Sequence, residues 1–207
     1  MKSKRLLYIL LAIIFIRFVF FIFDGYSFSE ESSIQKIDWY KDDDIEIILN
    51  KETESGSAVL YRNANSGQVG IAKLQSKFNS IWKVKSHIEL KVLEQGIPFV
   101  VIGEHIRNSE EEDQLLVGFH SNDANMTHLI CGPEDRNIEE RFKKSNISIQ
   151  SFREKNPQYF IEEIKDGYSM FLQNKYQVSN WNFYVFDEHG NLIAAKIAGS
   201  GEAKYTE

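Results

Sequence analysis

The hydrophobic pattern changes character twice along this chain. Residues 6–23 are apolar throughout except for Arg17, behind a basic start of Lys2, Lys4 and Arg5. A helix of that length, rising about 1.5 Å per residue, is about 27 Å long, close to the hydrocarbon thickness of a bilayer. A basic start and an apolar run suit both a cleaved secretory signal and a retained anchor. No A-x-A-like cleavage site follows Phe23, and the only cysteine, Cys131, lies too far on to carry a lipid behind the leader. The run therefore reads as an uncleaved signal anchor, with a cleaved signal as the alternative.

Beyond the apolar run, residues 24–44 read as a juxtamembrane connector rich in serine and acidic side chains. Ile34 and Ile37, with Trp39 and Tyr40 behind them, fit a turn or two of amphipathic helix capped by Ser29 or Ser32. From Ile45 onward the period shortens to that of β-strands separated by turn residues. The predicted strands are 45–49, 57–62, 68–74, 81–90, 98–106, 114–120, 127–131, 147–153, 158–164, 168–172, 181–187 and 191–197. Alternation is plain at Val59/Tyr61, Val69/Ile71 and Leu115/Val117/Phe119. Residues 133–144 alone read as helix, with Ile138 and Phe142 at i,i+4. Only three prolines occur, and no Pro/Gly/Ser-rich break interrupts 45–207. The expectation is one mainly β domain, a sandwich or curled antiparallel sheet, with one N-terminal transmembrane helix and at most one or two short helices.

Charge orients the chain and removes whole classes of partner. The positive-inside rule places residues 1–5 in the cytoplasm, because Asp24, Glu30 and Glu31 follow the apolar run. The expected location is thus the cell membrane, single-pass, with the C-terminal domain outside. The chain carries a formal charge of −6, and setting aside Lys2, Lys4, Arg5 and Arg17 leaves the outer segment at −10. So acidic a segment is not expected to seek nucleic acid or anionic lipid heads, which call for clustered Lys and Arg. Within the apolar run, Arg17 either pairs with an acid on a partner membrane helix or snorkels to the outer interface six residues away. A single cysteine permits no intramolecular disulfide, and Cys131 reads as a small buried hydrophobe.

Val59-Leu60-Tyr61, a turn ending at Gly67 and Ile71-Ala72-Lys73-Leu74 are echoed by Tyr184-Val185-Phe186, Gly190 and Ala194-Ala195-Lys196-Ile197. Two hairpins obeying the same Asn/Gly turn chemistry explain the echo, as does a duplication. Tyr61-Arg62-Asn63, Gly67, 69–74, Phe78 and Trp82-Lys83 resemble a pattern in small membrane-anchored proteins of Bacillus-type bacteria. Val117-Gly118-Phe119 and Leu129-Ile130 are similar to it as well, as is the closing 186–193. That resemblance implies a compartment and a bacterial source, and no catalytic residue.

Candidate chemistry is sparse. The best metal candidates are His120 and His128, brought together if 114–120 and 127–131 form a hairpin. Cys131 has the parity of Leu129 and faces away from His128, so a third convergent ligand is missing. The acidic runs Asp42-Asp43-Asp44 and Glu110-Glu111-Glu112-Asp113 lack calcium-loop spacing. No nucleophile elbow and no phosphate-binding glycine loop occurs, and His87, His105 and His189 are isolated. Glu104 with Glu89 or Glu94 has no spacing that marks a carboxylate pair. Neither a cofactor nor a catalytic residue is expected. The leading expectation is a non-enzymatic interaction module of the cell envelope that binds another envelope protein. An envelope hydrolase using dispersed acidic or histidine residues, and a small-ligand sensor acting through a membrane partner, are the alternatives.

Overall fold

A computed structural model describes residues 2–23, 25–37, 43–77, 81–90, 92–106, 114–133, 137–138, 140–141, 149–174, 181–197 and 202–206. Among the described residues the chain is mainly β, with three sheets, and it divides into two compact units. One comprises Met1–Gly67 and Ala72–His87, the other Gln68–Ile71 and Ile88–Glu207. The segment 45–207, read from the sequence as one domain, is thus shared between them.

The first unit opens with α1 (Lys2–Phe23). Its described side chains are those of residues 8–19, and residues 8–18 are exposed. Among the described residues no helix is long and apolar enough to cross a membrane. The short helix α2 (Glu30–Gln35) follows, capped by the Ser29 hydroxyl, which accepts from the Ser32 N–H at 3.1 Å. Glu30 and Glu31 lie in its first turn, where a negative charge complements the helix dipole. Four strands then form a sheet in sequential order: β1 (Ile45–Thr53), β2 (Gly56–Asn63), β3 (Val69–Lys77) and β4 (Ile81–Leu90). Alternate residues place Ile45, Val59, Tyr61, Ala72 and Leu74 in one buried cluster, closed by Ile34 of α2 and flanked by Ile37, Ile47, Trp82 and Val84. Burying side chains of this size contributes about 1.5–3 kcal/mol each, enough to hold a helix too short to persist alone.

The second unit has two antiparallel sheets sharing a core. β5 (Val100–Ile106), β6 (Gln114–His120) and β9 (Tyr168–Asn174) form the smaller, with β6 central. The larger runs β12-β11-β10-β7-β8, from β7 (His128–Gly132), β8 (Phe160–Glu163), β10 (Asn182–Phe186), β11 (Leu192–Lys196) and β12 (Lys204–Tyr205). Leu115, Val117, Phe119 and Phe171 from the smaller sheet meet Leu129, Cys131 and Val185 from the larger in a single buried cluster. On the opposite face of the larger sheet, Ile130, Ile161, Tyr184 and Phe186 pack with Ile138, Tyr159 and Phe152, the last carried by α3 (Ile149–Lys155). Both faces of β7 and β10 are therefore apolar, which explains why these strands read as unbroken hydrophobic runs.

One sequence expectation is corrected here. Residues 147–153 were expected to form a strand, yet 149–155 is α3. Arg153 and Lys155 in its last turn favour a helix C-terminus, and Pro157 disfavours helical geometry at Asn156. Asn156 closes the helix, its side-chain amide donating to the Phe152 carbonyl at 2.9 Å. Of the helix expected over 133–144, Ile138, Glu140 and Arg141 are helical, and Phe142 lies outside the described residues.

β8 and β9 are joined through a two-residue turn at Asp166 and Gly167, with φ of 51° and 82°. Lys165 and Tyr168 exchange both backbone hydrogen bonds across it at 2.8 Å. Positive φ at both central positions marks the hairpin turn for which Asp-Gly is a preferred pair. The Gly167 carbonyl accepts from the Ser121 N–H at 2.8 Å, and the Ser121 hydroxyl donates to the Pro98 carbonyl at 2.7 Å.

Candidate functional site

In the first unit, the chain turns sharply after α1. Gly25 adopts φ 86°, and Ser27 pairs with Trp82 of β4 through two backbone hydrogen bonds of 2.8 Å. Tyr26, between them, is buried, and three lysines from separate elements gather on it. The Lys77 ammonium stands 4.5 Å from the ring centroid and that of Lys83 5.2 Å, both within cation–π range. Lys36, the C-cap of α2, donates its ammonium to the Tyr26 carbonyl. Among the described residues none of the three is ion-paired with a carboxylate. Phe28 is 64% exposed and stacks on Phe18 of α1 with ring centroids 6.1 Å apart.

On the same unit an open groove of about 810 Å³ lies between α2 and the β1–β2 hairpin. Phe28 and Trp82 supply aromatic wall, and Glu30, Glu52 and Glu54 supply carboxylates. The Glu30 carboxylate is fixed, accepting from the Asn50 amide and the Ser57 hydroxyl at 2.6 Å each. Glu52 and Glu54 are exposed. The Thr53 hydroxyl is buried beside them and has no hydrogen-bond partner among the described residues. The groove thus offers negative charge, aromatic surface and an unused polar group to whatever enters it.

The two histidines singled out from the sequence sit on different sheets. β6 pairs with β5 and β9, while β7 pairs with β10 and β8, so the expected hairpin of 114–120 with 127–131 does not form. Consecutive strands here belong to opposite layers of the second unit. His120 stacks on Tyr168, its register partner, at 4.6 Å between ring centroids, and its Nδ1 lies 3.4 Å from the Gly167 carbonyl. His128 Nδ1 lies 2.9 Å from the Thr127 hydroxyl. Burial holds the His128 imidazole below its ordinary pKa, opposed by the negative charge of Glu163, its register partner. No group of three or more metal-ligating side chains occurs among the described residues.

Cys131 is fully buried in the core of the second unit, and burial pushes its thiol pKa up, as expected of a small hydrophobe. Its parity follows Leu129, with Ile130 on the other face. His189 occupies a turn closed by Asp187, whose carboxylate accepts from the N–H groups of His189 and Asn191 at 2.9 and 2.7 Å. His87 and Glu94 are exposed, and Trp181 packs against the core with Phe160 and Phe171. Both acidic runs, apart from Asp43 and Asp44, lie outside the described residues, as does 198–201. Arg17 is exposed on α1 and makes no ion pair among the described residues.

The lysines around Tyr26 and the groove beside α2 were missed in the sequence. Tyr26 and Lys83 are 57 positions apart and Phe28 and Trp82 are 54, and the members of each group meet only through the sheet and the turn after α1. No family model, curated protein or solved structure matches the chain.

Proposed function

We propose that this chain is a membrane-anchored, extracytoplasmic interaction module of the cell envelope. In this reading α1 is a single-pass signal anchor with its N-terminus in the cytoplasm, and the two β-rich units stand outside. One observation carries it: a contiguous exposed apolar surface along α1, with Tyr8 and Phe15 68% and 66% exposed, joined directly to a folded unit. A surface of that kind calls for lipid or a protein partner. Basic residues before the helix and acidic ones after it support the orientation. Another envelope protein is the partner, and the groove of the first unit is its docking place. Glu52 and Glu54 favour a cationic extended segment there, with Trp82 as apolar contact.

The test is photo-crosslinking of the full-length chain in its native membrane, with the reactive side chain at Glu52 or, for comparison, at Lys204 of the second unit. One envelope protein should be captured from position 52 alone. Reversing the groove's charge with Glu54→Lys in that chain should lower the yield about fivefold, the upper end for a surface ion pair. Equal capture from both positions, or yields indifferent to Glu54→Lys, would refute the groove as docking place. The groove volume also falls in the range of small-molecule sites, which favours ligand sensing as a second reading. A cationic metabolite that raises the melting temperature of the full chain, and fails to do so after Glu54→Lys, would establish it.

A further inference from the structure

We infer that Lys36, Lys77 and Lys83, with Tyr26 and Phe28, form a collar that binds anionic phospholipid headgroups at the membrane surface where α1 ends. This rests on α1 being the anchor. Tyr26 follows the last residue of α1 by three positions, so the lysines gathered on it lie at the helix mouth. Phe28 folds back to the level of Phe18, five residues or about 7.5 Å below the end of the helix. An exposed aromatic ring at that height, with ammonium groups above it, reproduces the order of groups at a lipid interface: hydrocarbon, aromatic belt, phosphate.

Three features argue for a lipid phosphate rather than an intramolecular carboxylate as the counter-charge. None of the lysines is ion-paired among the described residues. Lys36 and Lys77 are exposed. The three come from α2, β3 and β4, so the fold itself concentrates positive charge on one spot of an acidic outer segment. A headgroup phosphate accepts from several ammonium donors at once, and such contacts gain strength at the low-dielectric boundary of the bilayer.

The experiment uses the full-length protein in vesicles of phosphatidylcholine mixed with phosphatidylglycerol. Extraction is followed by mass measurement of the lipids that remain bound. The anionic lipid should be enriched on the wild-type chain, and the enrichment should fall about fivefold for each of Lys77→Gln and Lys83→Gln. Lys77→Arg with Lys83→Arg should preserve it, which separates charge from packing. Lys204→Gln, an equal loss of charge in the second unit, should leave it unchanged. Alkaline carbonate extraction is run in parallel. Release of the wild-type chain by carbonate would overturn the anchor and the collar with it. Retention with equal enrichment in wild type and the Gln variants would overturn the collar alone. Phosphorus NMR of inorganic phosphate, with the protein in phosphatidylcholine vesicles, forms the last arm. Phosphate binding lost in the Gln variants, without lipid enrichment in the wild type, would reassign the collar to small anions and overturn the lipid claim.

Discussion

Replacing Gly167 by alanine isolates the energetics of a single close approach. Its φ of 82° alone costs a residue with a Cβ about 1 kcal/mol. The added Cβ would also sit 2.2 Å from the Ser121 carbonyl oxygen, a backbone atom with no flexible end to yield. Relief requires the turn and the Ser121 segment to separate, which costs about 1–3 kcal/mol by analogy with overpacked cores. It also sacrifices the Ser121 N–H bond to the Gly167 carbonyl, worth about 1 kcal/mol. We expect Gly167→Ala to destabilise the protein by ~3–5 kcal/mol, a large share of a domain's usual 5–15 kcal/mol. Gly96 is the control: it has φ 91° with nothing within 4 Å of an added Cβ, so Gly96→Ala should cost only about 1 kcal/mol. Urea unfolding of both variants in mild detergent, followed by tryptophan fluorescence, gives the difference. Hydrogen exchange at the Ser121 amide gives the local reading and should accelerate far more in Gly167→Ala. Equal destabilisation by the two substitutions would refute the close approach.

Further expectations follow from single contacts elsewhere. Cys131→Ser places a hydroxyl in an apolar core and should cost about 1–3 kcal/mol, with the native thiol reacting with disulfide reagents only as fast as the second unit opens. Because burial holds the folded His128 below its unfolded value of 6.5, the unfolded chain binds that proton more readily. Stability should therefore fall as pH drops below about 6.5, and His128→Gln should flatten that slope in melts across the range. Asn63 is buried, accepts from the N–H groups of Asn65 and Ser66 at 2.9 and 3.2 Å, and donates to Asp43 at 2.7 Å. Asn63→Ala should cost about 2 kcal/mol in thermal or urea unfolding, whereas an unchanged midpoint would show the turn to be held by Gly67 alone.

Local pattern carried most of the secondary structure. The alternation of Leu115, Val117 and Phe119 placed β6, and that of Val59 and Tyr61 placed β2, because one face of each strand must be apolar. The echo between 59–74 and 184–197 matches two turns built alike. Asn63 and Asp187 each accept backbone N–H bonds, and Gly67 and Gly190 take positive φ at 72° and 80°. Pairing was not legible, because nothing in 114–131 records that β6 and β7 enter different sheets. α3 was missed because Ile147 and Ile149 mimic strand alternation, although Asn156-Pro157 held the stop signal. Net charge does not register position: a segment at −10 holds three lysines that converge on Tyr26 from positions 36, 77 and 83. Summed charge says nothing of where the fold sends each residue.

The bridge between Ser27 and Trp82 removes the leash usually placed between an anchor and its domain. Only three residues lie between the end of α1 and that bridge, four Cα steps or at most about 14 Å of extended chain. With α1 in the bilayer as proposed, the first unit has no freedom to cast about above the surface. On that reading its search for the proposed partner is two-dimensional, by lateral diffusion, and its reach is set by the first unit. A partner must itself be membrane-bound or come down to the membrane. Lengthening this joint with a flexible insert between Gly25 and Tyr26 would, on that reading, exchange planar confinement for reach, diluting the chain among the targets proposed for it.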